Sequence, residues 1–305
     1  MKLNPSGKTR IFAILTIIMW ASAFFSSHIA LQSFSAPALG ALRYALASVL
    51  LLIVGAVKKI GLPRLRDVPK FFMSGAMGFT LYMLFFNQGS LFLTSATSSV
   101  IISSGPIITA VLARVIFKEK LNALGWAAIG VSFAGILVLM LWDGIFSMNE
   151  GIFWMVGAAV AVSGYNLFQR SFSKRYTAFQ ATSYSMFAGT LLLMFFMPKA
   201  ITEAQGVPLS HWLIIIYLGI FPSALAYLCW GVALSTAKRV SEVTNFMFLT
   251  PLLASLMGFA AIGEMPAVST FVGGAIIIGG LLLFLRKDSL RKPALSEETL
   301  TLPDN

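Results

Sequence analysis

Charge is scarce in this chain: 11% of its 305 residues are Asp, Glu, Lys or Arg, while 58% are apolar. An average soluble protein is about 25% charged. So few charges cannot cover the surface of a soluble domain of this size. Cysteine is nearly absent. The single Cys229 excludes an internal disulfide and a Cys-only metal site. Lying inside an apolar block, it reads as a small buried hydrophobe. Histidine occurs twice, at the distant positions His28 and His211. No Asp or Glu lies deep in any apolar block, so there is no credible metal site and no carboxylate proton relay. A Gly-x-x-x-x-Gly-Lys-Ser/Thr loop is also missing, so ATP is not the motor. No nucleophile–base constellation can be assembled, so neither an enzyme nor a cofactor is expected.

What is present is a series of apolar blocks about 20 residues long, the length that crosses a hydrocarbon core of roughly 30 Å. Breaks at charge, proline or short polar turns give ten segments: 11–32, 36–57, 71–93, 96–117, 123–142, 151–170, 178–197, 211–234, 242–262 and 267–286. The predicted class is an all-α membrane protein with ten transmembrane helices. Residues 1–10 form a short N-terminal segment and 287–305 a polar tail. The longest connections are 58–70 and 198–210. Lys2, Lys8 and Arg10, an apolar run and Ala21-Ser22-Ala23 imitate a signal peptide. The apolar stretch continues through Leu31, however, long enough to span, and cleavage is not expected.

The net charge of +11 raises the question of nucleic acid, but the basic residues sit in short loops and form no stripe on a folded face. With the N-terminus in the cytoplasm, 19 of the 22 Lys and Arg fall on the cytoplasmic side. Lys199 alone falls outside, and Arg43 and Arg114 lie within spans. That asymmetry is the positive-inside pattern of a multi-pass protein of a bacterial-type inner membrane with both ends cytoplasmic. The expected partners are the lipid bilayer and a small-molecule substrate, and not nucleic acid.

The chain also repeats itself. Gly105-Pro106 precedes Glu119 by 13–14 residues, and Thr250-Pro251 precedes Glu264 by the same interval. Gly135-Ile-Leu-Val-Leu follows the first glutamate as Gly280-Leu-Leu-Leu-Phe follows the second. Ser22 and Leu50-Leu51-Leu52 match Ser163 and Leu191-Leu192-Leu193 at an offset of 141. Gly89 and Thr94 match Gly231 and Thr236. The two units, 11–142 and 151–286, have five spans each. An odd number forces the second copy to enter the membrane inverted, an arrangement common in secondary transporters.

Trp20-Ala21-Ser22-Ala23-Phe24, Pro37 with Arg43-Tyr44, and the two proline–glutamate–glycine units resemble the EamA family of the drug/metabolite transporter superfamily, over roughly residues 10–286. The resemblance implies two inverted five-helix repeats around a central cavity formed mainly by spans 1, 3, 4, 6, 8 and 9. It also implies export of amino acids or related metabolites. Multidrug or organic-cation efflux is the alternative within transport, weakened by the lack of a buried acid. A membrane-embedded enzyme or a receptor is the alternative outside it.

Candidate cavity residues follow from polarity and spacing. Trp20, Phe24 and His28 share one face of the first span. Tyr82, Asn87 and Gln88 in the third need partners, whether substrate or neighbouring helices. Ser103 and Pro106 interrupt the fourth span as Pro251 interrupts the ninth, and paired breaks of this kind point to a midplane site. Tyr165, Asn166 and Gln169 in the sixth, Tyr227 and Trp230 in the eighth, and Thr244 and Asn245 in the ninth complete the set. Arg43, about two turns inside the second span, could snorkel outward, pair with a helix end, or hold an anionic group.

Overall fold

The computed structural model describes residues 5–117, 123–142, 149–172, 175–236 and 245–289. Its described residues form helices and no strand. α1 is Pro5–Ala30, α2 Ala36–Val57, α5 Ala123–Leu141, α6 Glu150–Phe172 and α10 Val268–Ser289. α3 runs through Val68–Gly75, a π-helical segment Ala76–Leu81 and Tyr82–Ser90. α4 has two limbs, Ser95–Ile102 and Gly105–Phe117. α7 runs through Ala178–Leu193, a 3-10 turn Met194–Phe196 and Met197–Glu203. α8 runs through Leu209–Leu218, a second π-helical segment Gly219–Leu225 and Ala226–Thr236. α9 is Leu249–Ile262, preceded by the 3-10 turn Asn245–Phe248.

Five helical stretches are long and apolar enough to cross a membrane: Thr9–Ala30, Ala36–Val57, Glu150–Gln169, Ala178–Glu203 and Leu209–Ala233. Shorter apolar helices cover Ala123–Leu139, Leu249–Ile262 and Val268–Gly280. Large apolar side chains such as Leu52, Ile53, Phe133, Phe153, Leu256 and Phe271 are exposed on the outside of the bundle. Water would not tolerate so large an apolar surface, whereas lipid requires it. This is a multi-pass membrane protein.

Local sequence sets the helix limits. Thr177 and Gln180 form a reciprocal capping box that starts α7. The Thr94 side chain accepts from the Thr97 amide and starts α4. The interruption read in the fourth span is present, and two details further along the chain differ from the sequence reading. The fourth segment breaks at Ser103-Ser104, and Pro106 stands in the first turn of the new limb, where its missing N–H costs nothing. Pro251 likewise occupies the first turn of α9. The proline that does lie inside a helix is Pro222, within the second π-helical segment. The stretch 198–210, read as a connection, is helical as far as Glu203 because Pro198 suits a helix start.

The packing is reciprocal. α1 lies against α8 and α9, and α6 lies against α3 and α4. α2 meets α8 as α7 meets α3. α2 also packs on α7, and α5 on α10. Side chains follow the same pattern. A Cβ on Gly135 would meet Ile277 at 2.7 Å, and one on Gly280 would meet Ser132 at 2.2 Å, each pair spanning the same two helices in opposite senses. The Ser48 and Thr190 hydroxyls share a hydrogen bond of 2.7 Å between α2 and α7. Gly55 approaches Phe179 on that same pair, so the two helices run antiparallel.

A polar clamp ties the start of α3 to the α6–α7 connection. The Tyr176 hydroxyl donates to Asp67 Oδ2 at 2.8 Å and accepts from the Arg64 amide at 3.2 Å. Lys70 lies 3.7 Å from the same carboxylate. The Tyr184 hydroxyl donates to the Gly61 carbonyl. The Tyr176 hydrogen bond, with help from Lys70 and Arg175, holds the Asp67 carboxyl below its ordinary value. A depressed carboxylate contributes stability above its unfolded pKa of about 3.9 and loses it as pH falls through the lower folded value. Tyr176→Phe is therefore expected to raise the pH at which the acid limb of thermal stability begins. The difference from the parent should be small near pH 3 and largest near neutrality, read from melting midpoints across a pH series.

Candidate functional site

The rings from helices along the whole chain converge. Trp20 of α1 lies 5.4 Å from Tyr227 and 5.1 Å from Trp230, both on α8. Phe79, in the π-helical part of α3, stands 5.2 Å from Tyr44, 5.1 Å from Tyr165 and 5.4 Å from Tyr227. Phe86 joins Phe24 at 5.3 Å and Tyr82 at 5.6 Å. The Tyr44 and Tyr227 side chains face each other, as do those of Tyr165 and Thr182. The Trp20 indole N–H donates to the Pro222 carbonyl at 3.2 Å. That carbonyl lies in the π-helical segment, where the Ala226 amide bonds back to the Phe221 carbonyl and the helical ladder is irregular.

Trp20, Phe24, Tyr82, Tyr165, Tyr227 and Trp230 are thus brought to neighbouring positions in the bundle. The other candidates have separate surroundings. Asn87 is fully buried and donates to the Ala36 carbonyl at 2.9 Å, joining α3 to the start of α2. Gln88 is half-buried beside it. Ser103 bonds back to the Ser99 carbonyl at 2.8 Å, which accompanies the break in α4. Gln169 donates to the Ala181 carbonyl at 3.4 Å, and Asn166 is exposed. Pro251 is buried, its carbonyl accepting from Ser255. Asn245 begins the turn before α9. Thr244 lies outside the described residues.

His28 lies in the last turn of α1 with its Nε2 3.8 Å from Glu264 Oε1. Both Glu264 oxygens accept from the Ser95 amide at 2.9 Å. A carboxylate at a helix N-terminus satisfies orphan donors and the helix dipole together. Gly263, at φ +68°, makes the left-handed turn that delivers Glu264 to that position. Glu264 therefore fastens the end of α1 and the start of α4 to the α9–α10 corner.

Arg43 does not snorkel. It is 4% exposed, between α3 and α8. Its Nε donates to Ser223 Oγ at 2.6 Å and its Nη1 points at the Met83 sulfur at 3.9 Å. The Tyr44 ring centroid is 6.0 Å from the guanidinium carbon. Its charge also bears on Tyr82 and Tyr227. Among the described residues the ion pairs are His28–Glu264, Lys70–Asp67 and Lys199–Glu203, and none reaches Arg43. An arginine at a span centre costs about 2.5–3.5 kcal/mol on insertion scales, and a buried charge stripped of its partner about 3–5 kcal/mol. The bond to Ser223 returns about 1.5–3 kcal/mol. Among the described residues the site is a cation with no carboxylate partner, walled by tyrosines.

Sequence reasoning missed Phe79, Phe86 and Ser223. The first two carry no polarity to mark them. Ser223 lies one or two residues beyond the position that the flanking repeat offsets of 141 and 142 pair with Thr80, and only the corresponding π-helical segments bring the two into register. The Thr80 hydroxyl likewise binds across helices, to the Gly189 carbonyl at 3.0 Å.

The comparisons agree with this architecture. A crystal structure superposes with a TM-score of 0.66 at 19% identity, covering 95% of this chain and all of that one, which establishes a shared fold. The chain is 29% identical over 280 residues to the uncharacterized transporter YdfC of Bacillus subtilis, covering 91% of each. It is 30% identical over 275 residues to a probable terminal-alkyne amino-acid exporter of Streptantibioticus cattleyicolor, covering 90% of this chain and 92% of that one. An uncharacterized transporter of Archaeoglobus fulgidus matches at 27% over 281 residues, 92% of this chain and 99% of that one. The model of the EamA-like transporter family matches twice, over residues 8–141 and 149–286. With both halves matched and rings from both halves meeting at one place, the chain belongs to the EamA-like transporter family.

Proposed function

We propose that this protein is a secondary transporter that exports amino acids or related small metabolites by alternating access. Two inverted five-helix halves, 11–142 and 151–286, rock about the ring cluster, in a bacterial-type inner membrane with both chain ends cytoplasmic. The observation that carries the reading is reciprocity. Contacts of the form i to j′ and j to i′, as in Gly135–Ile277 and Ser132–Gly280, are the signature of a two-fold axis. Two π-helical segments in corresponding helices and two family matches add support. A two-fold axis in the membrane plane permits the same rocking motion toward either face. The amino-acid exporter among the relatives supports the substrate class. Organic-cation efflux is disfavoured by an unneutralised arginine beside the rings.

Purified protein in sealed proteoliposomes loaded with labelled phenylalanine is expected to release it faster than protein-free vesicles. Efflux of tetraphenylphosphonium without amino-acid flux would move the assignment to cation efflux. Binding without flux of either would favour a receptor, and conversion to a new compound an enzyme. Reporter tags that place the two chain ends on opposite faces would overturn the inverted arrangement.

A further inference from the structure

We infer that Arg43 is the anchor for a carboxylate on the transported molecule, and that the favoured substrates are monocarboxylates with an apolar or aromatic body. The inference rests on the transport reading for its physiological meaning, but its geometry is independent of flux. Of the five guanidinium N–H donors, Ser223 takes one and the Met83 sulfur weakly a second. The described residues supply no carboxylate to the rest. A guanidinium left with parallel free donors suits a two-oxygen acceptor. Ser223 fixes the Nε edge, so the side chain is held in place before a ligand arrives.

The surroundings fit the rest of such a molecule. The Tyr44 ring lies beside the guanidinium, its centroid 6.0 Å from the guanidinium carbon. Phe79 contacts the Tyr44 and Tyr227 rings, and Trp20 contacts Tyr227. A body bearing an apolar or aromatic group can therefore lie against rings while its carboxylate faces Arg43. The Arg43 charge repels a simple amine of the same shape, which places the discrimination at the carboxylate.

The test separates binding from transport. Melting midpoints of purified protein are measured with phenylalanine, 3-phenylpropionate, phenethylamine, phenylalaninamide and chloride. Phenylalanine and 3-phenylpropionate are expected to raise the midpoint. The amine, the amide and chloride are expected to leave it unchanged. Arg43→Gln should weaken carboxylate binding roughly 10- to 100-fold, the range for losing a charge-assisted hydrogen bond. Arg43→Lys, which keeps the charge and loses the fork, should fall between. Equal stabilisation by phenylalanine and phenethylamine, or by chloride alone, overturns the anchor; both comparisons use the parent protein and do not depend on a variant folding. Flux is then read in the proteoliposomes. Flux indifferent to the carboxylate overturns the anchor and leaves transport standing, whereas carboxylate-selective binding without flux overturns transport and leaves the anchor standing.

Discussion

Gly75→Val is expected to leave no folded protein. A Cβ at Gly75 would lie 2.4 Å from the Ser185 carbonyl oxygen and 2.5 Å from the Gly189 amide nitrogen. Both are backbone atoms of α7, so no rotamer change relieves the contact. The reverse side is equally closed, since a Cβ on Gly189 would meet the Gly75 carbonyl oxygen at 2.6 Å. Between helices in lipid, close backbone approach replaces the hydrophobic effect as the source of attraction. Here it is accompanied by a 3.0 Å bond from Ser185 to Ser74 and the bond from Thr80 to the Gly189 carbonyl. Overpacking commonly costs about 1–3 kcal/mol where side chains can adjust. Separating two backbones adds the loss of these two hydrogen bonds, for a sum of about 2–6 kcal/mol that reaches the low end of the roughly 5–15 kcal/mol holding a whole domain. Gly130→Ala is the control, because nothing lies within 4 Å of that position. Chromatography in detergent and melting midpoints distinguish the two: aggregation for Gly75→Val, and an unchanged or slightly raised midpoint for Gly130→Ala.

How much of this was legible beforehand differs by level. Helical class and membrane setting followed from apolar block length, because the bilayer imposes it on every such chain, and the family from the Trp20–Phe24 and Arg43-Tyr44 motifs and the repeated proline–glutamate–glycine unit. The candidate site was legible only where polarity marked it. Tyr165, Tyr227 and Trp20 stood out as polar or large residues in apolar runs, and they do converge. Asn87 stood out for the same reason, yet its amide joins two helices. An isolated amide in a span looks the same in the sequence whether it meets a ligand or a backbone carbonyl. Arg43 was left with three possible roles, because depth along the chain says nothing of direction around the helix. Its partner Ser223 is 180 residues away, and only packing brings them together. The prolines were legible in part: the fourth span does break beside Pro106, at Ser103-Ser104, whereas Pro222, which sits within an irregular helical segment, was not singled out.

Phe79 shows what a ring without a polar mark can do, and Phe79→Ala is expected to loosen the cluster and slow transport. The side chain is fully buried and touches rings of α2, α6 and α8 at once. In a membrane the unfolded reference leaves the ring in lipid, so little transfer energy is lost on truncation. What remains is the cavity: deleting roughly 100 Å³ at ~24 cal/mol per Å³ gives about 2.4 kcal/mol. Three lost ring pairs, at about 0.5–1.5 kcal/mol each where geometry is good, bring the total to about 4–7 kcal/mol if the neighbours do not collapse. Collapse would carry Tyr165 and Tyr227 toward the vacancy and pull the Tyr44–Tyr227 pair apart. Phe79→Leu keeps much of the volume without the ring edges, and is expected to recover most of the stability but less of the flux. Melting midpoints and proteoliposome efflux, measured on both variants, separate the two contributions. Equal recovery of stability and flux in Phe79→Leu would reduce Phe79 to filler. Recovery of stability alone would place its ring edges in the transport path, because flux would then depend on the positions of the tyrosines it holds rather than on the bundle staying folded.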